Sequence, residues 1–273
     1  MKRGRGFTLA ELAVALVIIG LLLAGALIPL STQIEVRNTA DTQRTMDQIK
    51  EAIIGFAQAN GRLPCPADGT IAAGSAGAGT EQYAANICTG ASATTAFGVV
   101  PWATLGVPET DAWGRRFSYF VSSVHADAIT AATYGVGCAP TPTPAQSSFA
   151  LCSLGTLTVN TRDDTHALTA IGSVIPAVII SHGKNGYGAL TPAGCTPSPS
   201  CATIAPPAAG TDEAANATHA NTATVFYGRA PTSSASGCND TTSGVPFCEF
   251  DDIVFMISTP TLVARMVSAG RLP

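Results

Sequence analysis

The stretch MKRGRGFTLAELAVALVIIG (residues 1–20) places one carboxylate, Glu11, inside an apolar run that extends from Phe7 to Leu30. The part of this run from Leu12 onwards is close to the roughly 20 apolar residues that a helix needs to span a bilayer. A carboxylate inside such a helix is costly to insert and is usually functional. A specific role is therefore needed to explain why Glu11 lies in this apolar run.

Charge on either side of the apolar run predicts its orientation. Three basic residues precede it, and no charge follows Glu11 before Glu35. The positive-inside rule places residues 1–6 in the cytoplasm and the chain after about residue 31 across the membrane.

Three interpretations of this segment are open. It is a plain signal anchor, or a secretory signal cleaved after Ala26 at the small-residue site Ala24-Gly25-Ala26, or a segment in which Glu11 serves assembly. In the first two interpretations Glu11 is an incidental charge that is tolerated at a shallow depth.

The string GFTLAEL (residues 6–12) resembles the processing motif of type IV prepilins and type II secretion pseudopilins. The resemblance implies that prepilin peptidase cleaves after Gly6 on the cytoplasmic side and that Phe7 becomes the N-methylated amino terminus. It also implies that Glu11 is the glutamate used in assembly.

This role of Glu11 has a physical basis in the charge at the start of the helix. A helix that starts at a free amino group carries that positive charge and the positive end of its own dipole. When such helices stack with an axial offset, Glu11 of one subunit can neutralise the terminus of its neighbour. The pair is buried only after assembly, so it selects the register of packing.

Beyond the apolar run the pattern predicts that the helix continues to Asn60. An apolar stripe at 3-4-3 spacing supports it, and Gly61 then provides a stop signal. The stripe consists of Met46, Ile49, Ile53 and Phe56.

The predicted fold class is α+β, with a long N-terminal transmembrane helix packed on an antiparallel β-sheet head, as in pilins. The predicted domains are a cytoplasmic leader (1–6), a helix (7–60) and an extracytoplasmic head (61–273). Within the helix, residues 7–30 are the transmembrane or filament-core part and residues 31–60 are amphipathic.

In the head, the sequence predicts three strands and one C-terminal helix. The strands are FSYFV (117–121), PAVIIS (176–181) and IVFMIS (253–258). The helix is predicted to have Thr259 as its N-cap and Pro260 as its first residue. The Ala/Thr/Pro/Gly tract 189–223 is predicted to form an exposed loop.

Composition argues against one class of partner. Charged residues make up 12% of the chain, against roughly 25% in an ordinary soluble domain. With 14 Lys and Arg and a net charge of −4, the chain lacks the basic field that nucleic acid requires. We therefore expect no nucleic-acid partner.

Eight cysteines lie between Cys65 and Cys248, beyond the apolar run. If this part is outside the cytoplasm, disulfides are the default expectation, although their connectivity cannot be deduced from sequence. Absence of Cys-x-x-Cys spacing argues against zinc. The hypothesis is four local loops: Cys65–Cys88, Cys138–Cys152, Cys195–Cys201 and Cys238–Cys248.

The sequence predicts no catalytic residue. HGKNGYG (182–188) lacks the spacing of a phosphate-binding loop, and its Asn185-Gly186 step is a hairpin-type turn signal. His182 could be a base, but no nucleophile motif accompanies it, so a surface or hairpin histidine is preferred.

We expect no cofactor. Some major pseudopilins bind calcium near the C-terminus, so the resemblance brings Ca²⁺ into consideration for a loose acidic group. The spacing of its members is not that of an EF-hand loop, and solvated turn carboxylates are the preferred interpretation. The group consists of Asp240, Glu249, Asp251 and Asp252.

The resemblance implies a structural subunit, not an enzyme, of a type IV pilus or a type II secretion pseudopilus. Its implied partners are other pilin or pseudopilin subunits, prepilin peptidase and an inner-membrane assembly platform. It would cross the inner membrane once, with a periplasmic head, before joining the filament. The long loops that the predicted disulfides would close favour a minor subunit. The alternatives are a secreted or membrane-anchored enzyme or binding module with an ordinary signal, and a filament adhesin.

Overall fold

The computed structural model describes residues 8–89, 91–92, 94–127, 138–139, 146–195 and 210–272, with the backbone alone for residues 22–31. The chain divides into two compact units, Met1–Asp41 and Thr42–Pro273. The helices are α1 (Leu9–Asn60), α2 (Trp102–Leu105), α3 (Ser123–Ala126), α4 (Asp212–Asn216) and α5 (Thr259–Ser268). The strands are β1 (Tyr83–Ala84), β2 (Ile87–Cys88), β3 (Thr95–Val99), β4 (Ser118–Ser122), β5 (Leu157–Arg162), β6 (Leu168–Ile175), β7 (Ala177–Ser181), β8 (Val225–Tyr227) and β9 (Ile253–Ile257).

In the first unit, the apolar side chains of helix α1 are exposed. The large apolar residues described between Leu9 and Leu21 are each at least 51% exposed. Among the described residues, no helix combines the length and the apolarity that crossing a membrane requires.

Among its described residues, the second unit contains three sheets. A four-stranded sheet has the order β3-β4-β7-β9, and its neighbouring strands are all antiparallel. A three-stranded sheet has the order β6-β5-β8, and β1 pairs with β2. The expectation of an α+β fold with antiparallel sheets and an N-terminal helix is confirmed, except that β5 and β8 are parallel. A parallel pair needs a connection that returns to the same end of the sheet, and the chain between β5 and β8 includes β6, β7 and α4.

The four-stranded sheet is covered on both faces. On β4, Tyr119 belongs to one core cluster and Phe120 to another, because successive side chains of a strand point to opposite faces. Ile179 and Ile180 divide in the same way on β7. This double burial explains why the predicted strands are continuous apolar runs and show no alternation.

The last part of helix α1 packs into the first of these clusters. Met46, Ile49 and Ile53 are fully buried and share that cluster with Tyr119 of β4, whereas Phe56 is only partly buried. Helix α1 ends at Asn60, and Gly61 follows with a φ of 75°. The second unit therefore begins within the helix, at Thr42, and takes in residues that the sequence assigned to the helical domain.

Two local predictions are wrong. The N-cap of α5 is Ser258, whose hydroxyl accepts a hydrogen bond from the Thr261 amide; Thr259 instead donates its hydroxyl to the Val174 carbonyl. The tract 189–223 is not entirely an exposed loop. It contains α4, in which Asp212 and Glu213 are buried because their side chains pair with partners from other segments.

Three disulfides have the connectivity of the local-loop hypothesis. They join Cys65 to Cys88, Cys138 to Cys152 and Cys238 to Cys248. Cys195 is also disulfide-bonded. The predicted pair Cys195–Cys201 includes Cys201, which lies outside the described residues.

Candidate functional site

The start of helix α1 is a reciprocal capping arrangement between Thr8 and Glu11. The Thr8 amide and the Thr8 hydroxyl each donate to Glu11 Oε2 at 2.9 Å. The Glu11 amide donates to Thr8 Oγ1 at 3.3 Å. This is a capping box, in which a threonine and a glutamate three residues later satisfy amides that have no partner within the helix.

The capping box gives Glu11 a local structural role that the sequence analysis did not find. The available signal was the spacing Thr-x-x-Glu before an apolar run. The exposed Glu11 side chain places a negative charge beside the positive end of the helix dipole. The predicted processing residues Gly6 and Phe7 lie outside the described residues.

In the second unit, His182 is fully buried, so the prediction of a surface or hairpin histidine is wrong. The residue follows β7 directly, and its ring lies between two other segments of the chain. The Ser118 hydroxyl is 2.8 Å from His182 Nε2, and His182 Nδ1 is 3.6 Å from Asp252 Oδ1. The Asn185-Gly186 step lies in a turn, but β7 pairs with β4 and β9 and forms no hairpin there.

The order serine–histidine–aspartate resembles that of a hydrolase triad, but this arrangement does not meet the requirements of one. The Ser118 side chain is on the buried strand β4 and is only 1% exposed, so a substrate has no access to its hydroxyl. The 3.6 Å separation between His182 and Asp252 is also longer than a hydrogen bond. The three residues form a polar contact within the core.

The acidic group predicted from the sequence is divided in the structure. Asp240 is buried and pairs with Arg229 at 3.1 Å. It also accepts hydrogen bonds from the amides of Asp212 and Cys248. The prediction of solvated turn carboxylates is therefore wrong for Asp240, which belongs to a buried ionic network, completed by the pairs that Asp212 makes with Arg162 and Arg229.

Asp251 and Asp252 instead lie beside Glu213 of α4, and Asp252 is buried, so the prediction of a solvated carboxylate is wrong for Asp252 as well. One oxygen of each of these three carboxylates lies within 4.8 Å of the others. We call this group the carboxylate trio. Glu213 was not among the predicted residues, and Glu249 is not part of the trio. Burial and the nearby Asp252 carboxylate raise the pKa of Glu213 to about 8.

Two asparagines orient the carboxylate trio. The Asn185 side chain donates to Glu213 Oε1 at 2.7 Å, and the Asn185 amide donates to Asp251 Oδ2 at 2.8 Å. The Asn216 side chain donates to Asp252 Oδ2 at 2.8 Å. Each carboxylate is thus held through one of its oxygens. An all-oxygen set of this kind suits a hard cation such as Ca²⁺ or Mg²⁺.

Comparison with known proteins adds one finding at the other end of the chain. Residues 1–27 match the family model described as the prokaryotic N-terminal methylation motif. The chain carries a prepilin-like N terminus. The methylation motif is the hallmark of type IV prepilin-like and pseudopilin-like proteins, so the predicted family resemblance is confirmed over these residues. Neither the curated proteins nor the solved structures include a match to this chain.

The prepilin-like motif covers both the capping box and the predicted cleavage junction between Gly6 and Phe7. In general terms it implies processing by prepilin peptidase and association with other pilin-like subunits. The carboxylate trio and the sheets of the second unit lie outside the matched residues.

Proposed function

We propose that the chain is a structural subunit of a type IV pilus or a type II secretion pseudopilus. The observation that carries the proposal is the match of residues 1–27 to the methylation motif. In the proposed pathway, prepilin peptidase removes residues 1–6 and Phe7 becomes the methylated amino terminus. The apolar segment then leaves the inner membrane, at an assembly platform, and enters the filament.

The geometry of helix α1 supports this proposal. Its apolar residues between Leu9 and Leu21 are exposed, and a helix that is apolar around its circumference requires lipid or other helices as its surroundings. Glu11 stands at the helix start, where its charge can reach the amino terminus of a neighbouring subunit. Packed helices in a filament supply both the apolar contacts and the opposite charge.

The second unit supports a minor or tip position. Disulfides fasten its loops, and such loops add bulk that a tightly repeated major subunit would have to accommodate at every step. The proposed location before assembly is the inner membrane, with residues 1–6 cytoplasmic and the second unit periplasmic. Oxidising conditions there allow the disulfides to persist.

The test is intact-mass and N-terminal peptide analysis of the protein from membranes of its host. We expect a mature chain that begins at N-methylated Phe7. Gly6→Val should abolish this product, whereas Gly4→Val, the matched change within the leader, should leave it. A mature chain that begins at Leu27 indicates an ordinary secretory signal and contradicts the proposal. A mature chain that retains residues 1–6 contradicts it as well.

A further inference from the structure

The carboxylate trio brings together two segments that are distant in sequence. Glu213 belongs to α4, and Asp251 and Asp252 immediately precede β9. The Asp251 amide donates to Glu213 Oε1 at 3.3 Å across a separation of 38 residues. Glu213 is fully buried and Asp252 is 5% exposed, so neither carboxylate can rely on bulk water to disperse its charge.

A second observation concerns the oxygens that the asparagines do not hold. Glu213 Oε2, Asp251 Oδ1 and Asp252 Oδ1 are buried and have no hydrogen-bond partner among the described residues; His182 Nδ1, at 3.6 Å from Asp252 Oδ1, is too distant for a hydrogen bond. Buried polar atoms almost always have a partner, so three such oxygens in one group need an explanation. In each residue the other oxygen accepts from an N–H donor, which fixes the orientation of the unpartnered one.

The backbone around the carboxylate trio is also adapted to it. Gly183 has a φ of 53°, and a Cβ at this position would lie 2.5 Å from Asp251 Oδ1. Any other residue at position 183 would therefore displace Asp251 from its place beside Glu213. The close approach of Gly183 lets the turn after β7, helix α4 and the segment before β9 meet at one point.

We propose that Glu213, Asp251 and Asp252 bind one Ca²⁺ ion, which links α4 to the base of β9. The ligands are all oxygens, and they lie within the span that two ligands about 2.3–2.6 Å from a shared Ca²⁺ can have. Waters and nearby carbonyls complete the coordination, as calcium permits. The ion gives the unpartnered oxygens of the trio a ligand role.

This site shares Asp251 and Asp252 with the acidic group predicted from the sequence, but Glu213 takes the place of Asp240 and Glu249. It also concerns the second unit alone and does not depend on the function proposed above. Binding of Ca²⁺ is measured on the purified chain, whereas processing is measured at Phe7. The two proposals can therefore fail separately.

The experiment is thermal unfolding and titration calorimetry of the full chain in detergent micelles at neutral pH. The protein is first treated with a chelator and then given CaCl₂ or MgCl₂. We expect one Ca²⁺ site per chain and a rise of several degrees in the unfolding midpoint, because an ion that binds only the native state stabilises it. We expect MgCl₂ to produce a smaller rise, since Mg²⁺ demands a stricter geometry.

Glu213→Gln is the informative variant, because glutamine keeps an oxygen for the Asn185 side chain and cannot bring a negative charge to the ion. Its calcium affinity should fall roughly tenfold or more. In chelator, however, its unfolding midpoint should be no lower than that of the wild type, since glutamine matches the shape of the buried side chain and keeps the hydrogen bond from Asn185. A variant with a merely structural defect would melt earlier in both conditions. Asp251→Asn provides a second variant if the first does not fold.

Asp164→Asn is the matched control, because Asp164 is exposed and remote from the carboxylate trio in sequence. It should retain the full response to calcium. The proposal is overturned if the wild type binds no Ca²⁺, if it responds to Mg²⁺ alone, or if Glu213→Gln binds calcium as tightly as the wild type. Direct calorimetry on the wild type decides the first two outcomes without any variant.

Discussion

At the scale of single residues, Glu11 combines a local role with a proposed intermolecular one, and the two can be separated. Glutamine can also complete a capping box with Thr8, so Glu11→Gln keeps the cap and removes the charge. Thr8→Val removes the cap and keeps the charge. We expect Glu11→Gln to be processed normally but to enter filaments at a small fraction of the wild-type level, and Thr8→Val to enter them nearly normally.

The measurement for this prediction is the ratio of subunit in sheared filaments to subunit in membranes. Glu35→Gln, an equivalent change further along helix α1, is the control and should behave as the wild type. If Glu11→Gln enters filaments as well as the wild type does, its charge has no role in assembly. If neither Glu11→Gln nor Thr8→Val enters filaments, assembly requires the capped start of the helix and the charge of Glu11 is not the deciding feature.

The burial of His125 leads to a separate prediction about how stability depends on pH. Its ring is fully buried against Phe149, and its two ring nitrogens have no hydrogen-bond partner among the described residues. Burial lowers its pKa from 6.5 to about 3. Between these values the unfolded chain binds one more proton than the native chain. The contribution of His125 to stability is therefore complete above pH 6.5 and declines as the pH falls towards 3.

We expect His125 to reduce the free energy of unfolding by up to about 1.4 kcal/mol per pH unit within this window. His125→Phe keeps an aromatic ring against Phe149 and removes the proton site. The variant should therefore become progressively more stable than the wild type below pH 6.5. Urea unfolding followed by tryptophan fluorescence at several pH values measures this difference. Parallel pH profiles for the two proteins would contradict the assignment.

At the scale of elements, the part of helix α1 after Thr42 is held by burial of one stripe. Ile53 is fully buried in the core cluster, whereas Ile34 on the same helix is 53% exposed. Ile53→Ala should lower the free energy of unfolding by about 2–5 kcal/mol, since it removes buried methyl groups and leaves a cavity. Ile34→Ala, the same chemical change, should alter the free energy of unfolding by no more than about 0.5 kcal/mol.

Urea unfolding of the purified chain compares these two variants. Equal effects at both positions would mean that the stripe does not anchor the helix to the sheet. The comparison also tests where the second unit begins. If the unit starts at Thr42, as its contacts indicate, the sensitive positions on helix α1 begin after that residue.

At the scale of the whole molecule, the disulfides restrict the unfolded chain. Cys65 and Cys88 are 23 residues apart, and loop-closure entropy for a loop of that length corresponds to about 3 kcal/mol. The double variant Cys65→Ser/Cys88→Ser should therefore lose about 3 kcal/mol of unfolding free energy, measured by urea unfolding without reductant. An unchanged free energy would show that the unfolded chain retains this loop closure by other contacts.

Elements whose signals are local were predictable from sequence. The end of helix α1 near Asn60 depends on a stripe and a following glycine, and the strands β4, β7 and β9 depend on short apolar runs. Strands β5, β6 and β8 were missed because their sequences are short or rich in Thr, Ala and Gly. Their strand state comes from pairing with each other, and β6 remains largely exposed.

The prepilin-like N terminus and the α+β class could be predicted from the chain alone, because the cleavage motif, the charge order and the helix pattern are all encoded in neighbouring residues. The burial of His182, the ionic role of Asp240 and the approach of Glu213 to Asp251 and Asp252 became visible only in the folded protein. These contacts join segments tens of residues apart. No local sequence pattern predicts these contacts, because they form only when the sheets and α4 pack together.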